Sequence, residues 1–225
     1  MGLAIICLGF GILLYFFFPV ISYQLFFGSV DTISAPVPSY DMVGRGTIQS
    51  LVSQGIANLT VNFNDARNWY PQIKASGISS VPQYQLSVPT LKIYDAEVST
   101  TDYDLSRQLG QYAGTSTPGE NGTAVIFGHS TLPQWFDPKN YKAIFATLHL
   151  IKKGDEILTR VNGVTYIYKV FSITITDPED TNMFTQSYDH SYITIVTCTP
   201  PGTLWKRLVV RASLEETGKK LTLKD

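Results

Sequence analysis

The feature that most constrains this chain is the dipeptide Asn162-Gly163, set between residues 156–161 and 164–170, two runs in which apolar and polar residues alternate. A two-residue Asn-Gly loop takes positive φ at both positions, which suits the right-handed twist of paired strands. The segment is therefore read as a β-hairpin. Further β-patterned runs are Leu86-Ser87-Val88 and Leu91-Lys92-Ile93 around Pro89, then residues 123–127, 192–198 and 207–212. Residues 171–176 continue the second hairpin strand. One short helix is expected over residues 141–150, with Ile144, Phe145 and Leu148 on one face. Many short strands and few helices predict a mainly β domain, built as a closed or nearly closed antiparallel barrel.

The N-terminus has a different character. Residues 1–30 carry no charged side chain, and residues 2–21 are almost wholly apolar. Such a run is long enough to cross a hydrocarbon core of roughly 30 Å as a helix. No basic residue precedes it and no small-x-small cleavage site follows, so an uncleaved anchor over residues 1–27 is expected rather than a signal peptide. Residues 28–80 read as a juxtamembrane connector. Ile48, Leu51, Val52, Ile56 and Leu59 recur at helical spacing, so the connector is expected to hold a helix. Gly, Ser and Pro at 77–82 mark the boundary. Residues 81–219 form the expected folded domain, and residues 220–225 a tail.

Composition excludes several functions. A net charge of −1 and a pI near 6.3, with no dense basic cluster, give no footprint for nucleic acid. No Cys-x-x-Cys or His-x-x-x-His occurs, so no metal site is expected. Gly110 and Gly114 are not followed by a helix start, so no phosphate loop is expected. No cofactor is called for.

The chain has only two cysteines. Cys7 lies in the apolar N-terminal run, which leaves Cys198 without a disulfide partner in the folded part. Cys198 ends one β-patterned run, and Arg207 begins the next after a turn centred on Pro200-Pro201-Gly202. If the two strands pair antiparallel, Cys198 and Arg207 are neighbours across the ladder. Arg211 then lies roughly 13 Å further along its strand. A free cysteine beside an arginine points to an activated thiolate nucleophile; the bland alternative is a buried core cysteine. Of three histidines, His129 has the best context for a general base, at a strand end in Gly128-His129-Ser130. His149 falls on an expected surface turn, and His190 at the far end of the Cys198 strand. Trp135 and Trp205 are candidates for a substrate groove, or equally for packing.

These residues resemble the sortase family of cysteine transpeptidases. The family pattern Thr-Leu-x-Thr-Cys stands here as Thr194-Ile195-Val196-Thr197-Cys198, with Ile for Leu. The family arginine falls on Arg207 and the family histidine on His129. Pro118-Gly119-Glu120-Asn121-Gly122 is similar to the Pro-Gly-x-x-Gly turn before that histidine. Leu86-Ser87-Val88-Pro89-Thr90-Leu91 is similar to the first strand, and Lys153-Gly154-Asp155-Glu156-Ile157 is also family-like. The likeness spans about residues 83 to 215. It implies a closed antiparallel or mixed β-barrel with one or two short helices.

The resemblance also implies a reaction. Cys198 would attack the carbonyl after threonine in a Leu-Pro-x-Thr-Gly-like sorting signal of a secreted protein. A thioacyl enzyme would pass the protein to an amine, either a peptidoglycan stem peptide or a pilin lysine. His129 would serve as general acid and then base, and Arg207 would stabilise the oxyanion. Thr197 and Ser130 are assigned to substrate binding. The catalytic domain would stand outside the cell membrane on a single span. The family class stays open, because the connector lacks an Asp-Pro-aromatic motif. Two rivals remain: a cysteine peptidase that only hydrolyses, and an inactive, membrane-tethered β binding domain.

Overall fold

The structure, a computed structural model, describes residues 62–71, 73, 79 and 81–217, together with 9–11, 13, 15 and 17 near the N-terminus. The chain divides into two units, residues 1–61 and 62–225. In the first unit the described residues are helical and exposed. Among the described residues no helix is long and apolar enough to cross a membrane. The remainder of the expected anchor, and the helix expected near residues 48–59, lie outside the described residues.

The second unit is a closed eight-stranded barrel. Its strands are β1 (Gln83–Val88), β2 (Ile93–Ser99), β3 (Leu109–Gln111), β4 (Gly122–Phe127), β5 (Glu156–Val161), β6 (Val164–Thr176), β7 (Ser191–Thr199) and β8 (Lys206–Thr217). Around the barrel the order is β1-β2-β3-β4-β7-β8-β6-β5, and β5 returns to β1. Pairing is antiparallel except for β2 with β3 and β4 with β7, which run parallel. The barrel is thus mixed, and only five short 3-10 turns accompany it among the described residues.

Local chemistry explains the clearest elements. Asn162 and Gly163 have φ of 49° and 81°, and Val161 pairs with Val164, so the hairpin closes as its sequence predicts. Pro89 cannot donate to a ladder, and a 3-10 turn at Pro89–Leu91 accordingly separates β1 from β2. β6 and β8 pair over their length with two register shifts, a common way to bend long strands around a barrel.

The helix expected over residues 141–150 does not form. The segment is a series of turns ending in a 3-10 helix at Leu148–Leu150. Its backbone bonds span three residues, as from Ala146 N–H to the Ala143 carbonyl and from Leu148 N–H to the Phe145 carbonyl. Phe145 donates to the His129 carbonyl at 3.1 Å instead of to its own turn. Ile144, Phe145 and Leu148 are nonetheless buried together in the core.

Two apolar cores result. Ile126, Ile157, Tyr168, Ile193, Ile195 and Val210 belong to the core inside the barrel. A second cluster covers the outer face of β4, β7 and β8, joining Val125, Phe127, Val196, Cys198 and Val209 to Trp69, Tyr70, Leu105, Tyr112 and Met183. β7 is therefore buried on both faces, which is why its sequence reads as an almost continuous apolar run. The second core also draws residues 62–71, from the expected connector, into the compact unit.

Candidate active site

Three adjacent strands deliver the three residues singled out in the sequence. Phe127 of β4 lies level with Val196 of β7. Just beyond, Gly128 N–H donates to the Val196 carbonyl at 3.3 Å, and Ser130 Oγ donates to the Cys198 carbonyl at 2.6 Å. His129 thus leaves β4 beside the end of β7 that carries Cys198. Across the next ladder Cys198 pairs with Arg207, as the strand argument predicts. Arg207 Nη1 lies 3.6 Å from Cys198 Sγ.

The turn at Gly128 has no room for a side chain. A Cβ there would stand 2.5 Å from Phe145 and 2.6 Å from Leu109. Thr197 Oγ1, buried, donates to the Gly128 carbonyl at 2.7 Å. The hydroxyl protons of Thr197 and Ser130, both expected to meet substrate, are instead committed inside the fold. They tie the His129 segment to the Cys198 strand.

Sequence reasoning missed the residues that cover this site. Trp69 packs against both the histidine and the arginine. Its ring centroid is 5.7 Å from that of His129, and the Arg207 guanidinium carbon is 5.1 Å from it. The indole N–H donates to the Phe63 carbonyl at 2.7 Å, and Asp65 caps the 3-10 turn Ala66–Trp69 by accepting from Arg67 N–H at 2.9 Å. Asn64 Oδ1 lies 3.2 Å from His129 Nε2, so Nε2 carries the hydrogen in this pairing. Tyr70 is fully buried, its hydroxyl beside the Arg207 guanidinium without completing a hydrogen bond to it. The only signal for this cover was a turn-rich aromatic stretch. Trp135 and Trp205, read equally as groove or packing residues, are largely exposed.

Burial sets the charge state. Cys198 is only 4% exposed, and desolvation pushes its thiol above the ordinary range; Arg207 offsets part of that rise. Burial also lowers the His129 pKa, with Lys142 adding to the effect and Asp104 opposing it. Burial therefore favours the thiol form of Cys198 and the neutral form of His129. Desolvation of Cys198 opposes the activated thiolate expected from the sequence, while the Arg207 charge favours it. The other candidates fall elsewhere. His190 Nε2 faces the Leu214 carbonyl at 2.7 Å, and Arg211 pairs with Thr194. Among the described residues no group of His, Cys, Asp and Glu is arranged to hold a metal ion.

A thiol, an imidazole and a guanidinium at the ends of adjacent strands can supply a nucleophile, a proton carrier and an anion-stabilising group. A sequence model described as the sortase domain matches residues 80–215, more than half of the chain. The chain belongs to the sortase family. It is 24% identical to sortase D of Bacillus subtilis (strain 168) over 149 residues, 66% of this chain and 67% of that protein. A shorter match, 32% over 78 residues, links it to sortase A of Streptococcus agalactiae serotype III, covering 35% of this chain and 31% of that one. A solved structure of a lid mutant of sortase A from Corynebacterium diphtheriae superposes with a TM-score of 0.52 at 26% identity, covering 76% of this chain and 94% of that one. The Clostridium perfringens sortase D5 transpeptidase gives 0.50 at 26%, with coverage of 60% and 79%. Sortases are cysteine transpeptidases, and so is this chain.

Proposed function

We propose that this sortase cleaves a Leu-Pro-x-Thr-Gly-like sorting signal after threonine and transfers the new carboxyl end to an amine. The observation that carries the reading is the 3.6 Å approach of Arg207 Nη1 to Cys198 Sγ, at the strand end where His129 emerges. His129 takes the thiol proton as Sγ attacks the threonine carbonyl. Arg207 donates to the oxyanion that forms. The C–N bond then breaks, and the leaving amine takes the proton from His129. An incoming amine attacks the thioester, His129 accepts its proton, and the sulfur leaves and is reprotonated. The acceptor is a peptidoglycan stem peptide or a pilin lysine, and no cofactor takes part.

In this reading residues 62–71 act as a lid. Trp69 packs against both His129 and Arg207, the two groups that a substrate carbonyl has to reach. Residues 1–27 anchor the protein in the cell membrane with the barrel outside, where secreted proteins carry their sorting signals.

The test incubates the full chain, beside a Cys198→Ala control, with a pool of such peptides and a small primary amine. Mass spectrometry of a peptide cut after threonine and joined to the amine, absent in the control, supports the proposal. Cleavage without joining points to a hydrolase. No product from any peptide, with a Cys198 that resists alkylation, overturns the reading.

A further inference from the structure

A second groove, of about 500 Å³, opens on the outer face of β6, β7 and β8. Phe171, His190, Tyr192, Thr194, Arg211 and Ser213 line it. Thr194 and Arg211 are direct partners across the β7–β8 ladder. Thr194 is 1% exposed, and its hydroxyl has no hydrogen-bond partner. A buried hydroxyl in that state is costly, and a ligand that supplies an acceptor removes the cost.

Arg211 is also distinctive among the described arginines. Arg67, Arg107 and Arg160 each pair with an aspartate, and Arg207 faces Cys198. Arg211 has no carboxylate in salt-bridge reach among the described residues; its contact is one hydrogen bond to the Asn182 carbonyl, 2.9 Å. A guanidinium has five N–H donors, so most of its fork remains for a ligand. Asp189 accepts from two residues that line the groove, Ser187 Oγ at 2.5 Å and Tyr192 Oη at 3.0 Å. On another wall Phe171 is 46% exposed and meets Tyr192 edge to face at 6.1 Å.

We propose that this groove binds a carboxylate-bearing peptide. The carboxylate pairs with Arg211 and accepts the Thr194 hydroxyl, while a flanking apolar side chain rests on Phe171 and Tyr192. Thr194 and Cys198 share one face of β7, roughly 13 Å apart at the usual strand rise. A peptide seated here therefore lies within about four extended residues of the thiol. The inference does not depend on the chemistry at Cys198, because it concerns binding alone.

The experiment measures fluorescence anisotropy of labelled pentapeptides against the full chain. One probe is Gly-Leu-Glu-Leu-Gly with an amidated end; the second has Gln for Glu; the third is the Gln peptide with a free carboxyl end. The Glu probe is expected to bind at least ~tenfold more tightly than the amidated Gln probe, as for one charge-assisted pairing. Arg211→Gln should abolish that preference, Arg211→Lys should keep part of it, and Thr194→Val should weaken binding several-fold. An unchanged rate of Cys198 alkylation in Arg211→Gln establishes that the variant is folded. A gain for the third probe assigns the site to chain ends, and a gain for the first alone assigns it to acidic side chains. Absence of binding by every probe, no gain of either carboxylate-bearing probe over the amidated Gln probe, or a preference that survives Arg211→Gln overturns the proposal.

Discussion

Trp69 packs against both His129 and Arg207, its ring 5.7 Å from the one ring and 5.1 Å from the other residue's guanidinium carbon. It touches both the proton carrier and the cation that the barrel brings to one end of the same sheet. Trp69→Ala should therefore uncover the site. The alkylation rate of Cys198 by iodoacetamide is expected to rise several-fold. Loss of a buried tryptophan should cost about 3 kcal/mol or more in the second core, read by urea denaturation. An unchanged alkylation rate in a folded variant would show that Trp69 does not guard the thiol.

Arg207 should matter to the reaction far more than to the thiol's exposure. Arg207→Gln is expected to lower kcat/KM for transpeptidation by roughly 10²–10³, the range for loss of a group that stabilises an oxyanion. Arg207 also offsets part of the desolvation of Cys198, so the alkylation midpoint should move to higher pH in the variant. A variant with full kcat/KM would remove Arg207 from the mechanism.

The pH dependence follows from burial. In the native chain the alkylation midpoint of Cys198 should lie above the ordinary cysteine value of about 8.5. Deprotonation is disfavoured where water is excluded, so the thiolate forms only as pH rises past that raised value. In Trp69→Ala the burial term shrinks and the midpoint should fall. His129, its pKa lowered chiefly by burial, should titrate below about 6.5 by NMR. Its neutral form contributes stability at and above neutral pH. That contribution is lost as acidification charges the unfolded histidine first. A His129 midpoint above the ordinary value would contradict this account.

Gly128→Ala should be damaging although only a methyl group is added. The new Cβ would stand 2.5 Å from Phe145 and 2.6 Å from Leu109. Overpacking of this kind typically costs about 1–3 kcal/mol. The displaced backbone also carries His129, so kcat should fall more than KM rises. A fully active Gly128→Ala enzyme would mean that the turn is more pliant than its packing indicates.

Thr197→Val tests the internal use of a hydroxyl expected to meet substrate. The bond to the Gly128 carbonyl is buried, and its loss leaves that acceptor unsatisfied, at a cost of about 1–3 kcal/mol. Stability by thermal melting should drop while KM for the peptide stays near the native value. A large KM increase with unchanged stability would return Thr197 to the substrate site.

Alternation of side chains and turn chemistry were enough, from the sequence, to place the β5–β6 hairpin and the core of β4, β7 and β8. The neighbourhood of Cys198 and Arg207 was also legible, because a short loop between two antiparallel strands leaves few registers. These are local determinants, acting between residues close in the chain. β3 was invisible: three residues with a central glycine acquire strand geometry only from β2 and β4 on either side. The expected helix near Tyr141 failed because Phe145 donates to the His129 carbonyl, a partner that no local pattern announces.

The tertiary structure alone decided the state of the site. It placed β4 parallel to β7 and so brought His129 to the end of the Cys198 strand. It packed Trp69 and Tyr70 with Cys198 in one core, and that burial favours the thiol and the neutral histidine over their charged forms. Desolvation depends on everything that surrounds a group, and those surroundings come from segments distant in the chain. The sequence therefore determined which chemical groups are available and which strands carry them; only packing decided what covers them and with what charge they wait.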